Sequence, residues 1–188
     1  MSDWTRVKWS EAKQILAILD WPEDDLVGDP KGRPKDYFDA LRQQGRLPEA
    51  ASYLGQALPR FEAVAWATRA VQTLREDAAG SSQRGAEADA LKAALLWVQD
   101  PSEMRRRAAF AASEKCRSDS AERMAALAAY FSGGSIAPED CPPVPAQRDT
   151  AGRFAAGAVL TAAASTPDLM ASLDTCLKAG DALAAGQA

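Results

Sequence analysis

Leu58-Pro59-Arg60-Phe61-Glu62-Ala63-Val64-Ala65-Trp66-Ala67-Thr68-Arg69-Ala70-Val71-Gln72-Thr73-Leu74 is the stretch whose reading decides the fold. Proline at its head suits the first position of a helix, where a missing N–H costs nothing. The residues behind it are mostly good helix formers, with no further proline and no glycine before Leu74. Phe61, Val64, Ala65, Trp66, Thr68, Ala70, Val71 and Leu74 leave little polar surface, so a helix from roughly Pro59 to Arg75 needs neighbours on several sides. Such a helix belongs at the centre of an all-α protein.

The same punctuation recurs outward from this centre. Before it, Leu47-Pro48-Glu49 opens a short helix, and Tyr37, Phe38 and Leu41 recur at helical spacing up to Gly45. Earlier still, Ser10 is placed to cap a helix carrying Ile15, Leu16, Ile18 and Leu19, which Trp21-Pro22 stops. After the centre, a polar linker from Asp77 to Gly85 leads to Leu91, Ala94, Leu95, Trp97 and Val98. Asp100-Pro101-Ser102-Glu103 then reads as a helix start capped by Asp100, and Asp119 to Glu122 reads as a second capping box. Gly133-Gly134 ends that helix.

A loop at 133–149 follows, and Pro138, Pro142, Pro143 and Pro145 make it a stiff strap across the helices. Thr150 to Ser165 is an Ala-rich helix, and Thr166-Pro167-Asp168 caps the last one. The expectation is a single helical domain over 1–188 with about eight or nine helices. Its architecture is an irregular multi-helix bundle or a short α-α solenoid, because no fixed repeat separates the two. Hydrophobic residues make up 47% of the 188 positions, enough to fill one core.

The chain has no histidine, which removes the commonest general base, metal ligand and pH switch together. Cys116, Cys141 and Cys176 are far apart, without the spacing of a metal or redox motif, and reduced thiols in a cytoplasm fit them. A net charge of −4 gives no broad positive field, so nucleic acid is not an expected partner. The first residues lack a signal-type apolar run, and Phe154 to Ala164 is too short to cross a bilayer, so no membrane insertion is expected. Carboxylates abound without a distinctive pair, and no cofactor motif is present. No enzymatic activity is expected.

Four residues form the candidate site. On the central helix one turn separates Glu62 from Trp66, Arg69 follows three residues after Trp66, and Trp97 lies on a neighbour. Charges on an otherwise apolar helix pair within the fold or face a cleft, since an unpaired buried charge is too costly. Arg105-Arg106-Arg107 reads as a solvated face, because consecutive helical residues spread around the axis. Pro142-Pro143-Val144-Pro145 matches a PxxP pattern, read as a packed surface strap ahead of a binding motif.

Three stretches carry a resemblance: Ala57-Leu58-Pro59-Arg60-Phe61-Glu62-Ala63-Val64-Ala65-Trp66-Ala67, Trp97-Val98-Gln99-Asp100-Pro101-Ser102-Glu103, and Ser132-Gly133-Gly134-Ser135-Ile136-Ala137-Pro138 leading to Pro142-Pro143-Val144-Pro145. Together they resemble an uncharacterised family of proteobacterial all-helical proteins, from about Ala57 onward. The resemblance implies a bacterial source, a globular helical domain and company with type VI secretion components; it supplies no catalytic residues. Where the family carries a second aromatic beside Trp66, this chain has Ala65. The expected function is a non-enzymatic interaction or adaptor module that binds another bacterial protein or itself. The alternative is a small-molecule or peptide-binding protein with a cleft near Trp66, Arg69 and Trp97.

Overall fold

A computed structural model describes residues 3–78, 85–138 and 140–187. Nine α-helices stand among them: α1 (Ala12–Leu19), α2 (Pro34–Gln43), α3 (Leu47–Ala57), α4 (Arg60–Ala78), α5 (Ala86–Gln99), α6 (Glu103–Ser113), α7 (Ala121–Phe131), α8 (Thr150–Ala164) and α9 (Leu169–Ala184). The described residues hold no strand, and a single isolated bridge joins Ser135 to Pro145. Most of the polar linker expected at 77–85, residues 79–84, lies outside the described residues.

The central helix is α4. Val64, Ala67, Thr68 and Val71 are fully enclosed, and Thr68 satisfies its own hydroxyl by donating to the Val64 carbonyl at 2.6 Å. Neighbours α3, α5, α7, α8 and α9 all touch α4, and α8 in turn touches α3, α4, α7 and α9. In a solenoid each unit meets only its sequence neighbours. Contacts of α3 and α4 with α8 and α9 therefore make this an irregular bundle. The open choice between bundle and solenoid resolves that way.

Small residues let the bundle close. A methyl carbon added at Gly55 would stand 2.6 Å from the Gly152 carbonyl, and one at Gly152 would stand 2.5 Å from the Gly55 carbonyl. Glycine at both positions brings α3 and α8 into backbone contact, and Gln56 fastens the joint by donating to the Asp149 carbonyl at 2.9 Å. At the other end of the chain, Trp4 donates to Asp181 at 2.7 Å, and the Arg6 amide reaches the Ala184 carbonyl at 2.9 Å. The N-terminal segment is thus tied to α9.

Three of the expected helix caps are displaced. Ser10 does not cap α1; Glu11 occupies that position, and the Gln14 side chain reaches back to accept from the Ser10 and Glu11 amides at 2.9 and 3.1 Å. Asp100 closes α5 and pairs with Arg105 at 2.8 Å, while Ser102 stands before α6. Ser120, one residue after Asp119, caps α7 by accepting from the Arg123 amide. Asp168 caps α9 as expected, accepting from the Ala171 amide at 3.0 Å.

The proline-rich loop is no simple strap across the helices. Ile136 donates to the Val144 carbonyl at 2.8 Å, and Ser135 Oγ accepts from the Ala137 and Val144 amides at 3.1 and 3.0 Å. These bonds fold the segment back on itself and leave Pro142, Pro143 and Val144 exposed.

Candidate functional site

Trp66 and Trp97 are both buried, at 2% and 5% exposure, but against different parts of the bundle. Trp66 points to α9, where its indole donates to the Cys176 carbonyl at 2.8 Å. Gly180 makes the room: a methyl carbon there would stand 2.8 Å from Trp66 Nε1. Glu62 shares that face one turn earlier and pairs with Arg6 of the N-terminal segment at 3.8 Å. Arg69 is exposed. Glu62 and Trp66 are therefore brought together under α9 and the N-terminal segment, while Trp97 lies elsewhere.

Trp97 packs on Phe61, with ring centroids 5.8 Å apart and planes tilted by 46°. Five residues along a helix turn about 140°, so Phe61 and Trp66 face different sides of α4. Phe61 keeps 39% of its surface exposed and forms the rim of an open groove of about 440 Å³. Trp97, Pro101, Ser102, Arg106 and Gly133 line the rest that matters here. Its position in the first turn of α4, directly after Leu58-Pro59, was legible as an aromatic at a helix start. Nothing in the sequence marked it as a partner of Trp97.

The groove floor is set by Arg106, which is 3% exposed and contradicts the reading of Arg105-Arg106-Arg107 as a solvated face. The last carbonyls of any helix lack intrahelical partners, and the guanidinium fork answers that need at the end of α7. It donates to the Tyr130 carbonyl at 2.5 Å, to the Ser135 carbonyl at 2.6 Å and to Glu103 at 2.7 Å, with the Tyr130 ring 4.7 Å from its centre. Donation from Arg106 holds the Glu103 carboxyl below its ordinary range. Gly134 completes the junction in a left-handed conformation, φ +65°, and a methyl carbon there would meet Arg106 Nε at 2.9 Å. The floor is thus rigid and internally neutralised.

One group near this groove remains unsatisfied. Trp97 Nε1 is buried and has no hydrogen-bond acceptor among the described residues. Buried polar groups are nearly always paired, so this donor is an exception, enclosed in the bundle and not open to the groove. Among the described residues no group of three or more Cys, Asp or Glu side chains is arranged to hold a metal ion. No described helix is long and apolar enough to cross a membrane.

Comparison with known proteins adds one match: a family described as "Family of unknown function (DUF6931)" covers residues 37–184. The chain belongs to this family. No curated protein and no solved structure matches it. The part matched to DUF6931 contains Phe61, Trp97, Arg106 and the whole groove, whereas Trp4, Lys8 and Trp9 precede it.

Proposed function

We propose that this DUF6931 protein is a non-enzymatic interaction module, and that the Phe61–Trp97 groove receives an extended segment of a partner protein. The observation that carries the reading is an open groove rimmed by the exposed Phe61 ring, which packs on Trp97. An extended peptide in the groove lays its apolar side chains or prolines against Phe61 and Pro101. Because Arg106 and Glu103 already neutralise each other, the floor favours an uncharged segment. A bacterial cytoplasmic setting near type VI secretion components belongs to the same proposal, supported by the sequence resemblance and by free thiols at Cys116, Cys141 and Cys176.

A photocrosslinking amino acid placed at Ser102 tests the docking. The expected result is a discrete protein adduct that disappears when Phe61→Ala is added, while the circular dichroism spectrum stays helical. An adduct that persists unchanged with Phe61→Ala, or no adduct from the source cells, overturns the reading.

A further inference from the structure

A second recess, of about 250 Å³, lies on the other side of the first turn of α4. Among the described residues its cationic lining is Lys8, Arg60 and Arg148, and no carboxylate lines it. Trp9 forms one wall. The ring is held by donation from its Nε1 to the Gln56 carbonyl at 3.1 Å, and the Arg148 guanidinium rests 4.5 Å from its centre. Among the described residues, Arg60 makes only a long contact, 3.4 Å, to the Ser132 carbonyl. The acid that opens α8, Asp149, is occupied by Arg153 at 2.6 Å.

The backbone adds to this field. Arg60 begins α4, and Gly152 lies in the first turn of α8, so both helices start at the recess. The first amides of a helix have no intrahelical acceptor, and the helix dipole places positive charge there. Gly55 and Gly152, where α3 and α8 meet backbone to backbone, line the recess beside these charges. Three like charges and two helix starts around one concavity repel one another until an anion enters. In a chain of net charge −4, this concentration of positive charge is a local departure.

We infer that the Lys8–Arg60–Arg148 recess is a binding site for a phosphate dianion, either free or as the head of a small monoester. A carboxylate offers two oxygens and one charge. A phosphate presents three peripheral oxygens and nearly two charges, which matches cations arriving from three separate segments of the chain. This site is independent of the peptide groove, and its test does not use Phe61 or Trp97.

The probes are inorganic phosphate and glycerol phosphate, titrated calorimetrically into the full chain at constant ionic strength, with acetate as the control anion. Saturable binding of phosphate is expected, about tenfold weaker with Arg60→Ala or Arg148→Ala and weaker still with Lys8→Gln added. Affinity falls as pH drops through about 6, where the dianion gains a proton. Binding of both probes identifies a monoester site, and binding of phosphate alone identifies a free-phosphate site. Phosphate heat no larger than that of acetate, or equal affinity in variants whose helical spectrum is intact, overturns the inference.

Discussion

At the α4–α9 contact the Trp66 indole donates to a carbonyl and lies over Gly180, whereas at the α5–α6 end the Trp97 indole has ring packing from Phe61 and no acceptor. Both side chains are equally hidden from water. Burial by itself therefore does not say whether an indole's polar atom is paired. The Trp66 region is closed and satisfied, and the Trp97 region holds one enclosed, unpaired donor near a groove rimmed by Phe61.

The largest effect should come from deleting the ring on the closed side. Trp66→Ala is expected to cost about 3–5 kcal/mol, because α9 cannot collapse into the space against Leu54 and Cys176. That is a large part of the 5–15 kcal/mol typical of a domain. Urea denaturation monitored by circular dichroism measures it. A cost below about 1 kcal/mol would show that α9 is not packed on Trp66.

The comparison sharpens when only the indole N–H and part of the ring are removed. Trp66→Phe loses a satisfied hydrogen bond and should cost about 1–3 kcal/mol. Trp97→Phe removes a donor that had no acceptor, which offsets the lost ring volume, and should cost no more than about 1 kcal/mol. Equal costs in the same denaturant series would break the distinction between the two regions.

Smaller effects separate Ser120, which caps α7, from Asp100, which the sequence pattern offered as a cap. Ser120→Ala should destabilise by about 1 kcal/mol, since Ser120 accepts from the Arg123 amide at 3.3 Å. Asp100→Ala should cost no more than about 0.5 kcal/mol, because it removes an exposed pair with Arg105 and no cap. Thermal melts of the two variants decide the order. A larger loss at Asp100 would restore it as the cap.

Cys176 touches the closed region without altering its stability at neutral pH. Burial raises its thiol from 9.0 to about 11, so the unfolded state ionises first as pH rises. The resulting contribution is fully present below about pH 9 and is lost toward pH 11. Cys176→Ala should flatten that part of the alkaline decline, which melts at pH 7 and pH 10 would reveal. An identical decline in wild type and variant would place the loss in other groups.

The helices themselves were legible because the information for a helix start or stop lies within a few neighbouring residues. Pro48, Pro59, Pro167 and Gly45 punctuate the chain where helices begin or end, and Asp168 caps the helix it precedes. Caps were misplaced where two polar residues compete within one turn. At Asp100 and Ser102, and again at Asp119 and Ser120, the local pattern allows either, and a contact such as Asp100 with Arg105 decides.

The sequence by itself determined an all-α chain with α4 at its centre, because helical propensity, proline and glycine placement and apolar period are local properties. Only the tertiary structure decided that Arg106 would be buried, since its partners are carbonyls at the end of a different helix, 24 residues on at Tyr130. It likewise decided that Trp66 would meet Cys176, 110 residues away, and that Trp97 would pack on Phe61. Those pairings depend on which helices pack together. That choice rests on the summed fit of many small residues across distant segments, which no short stretch of sequence encodes.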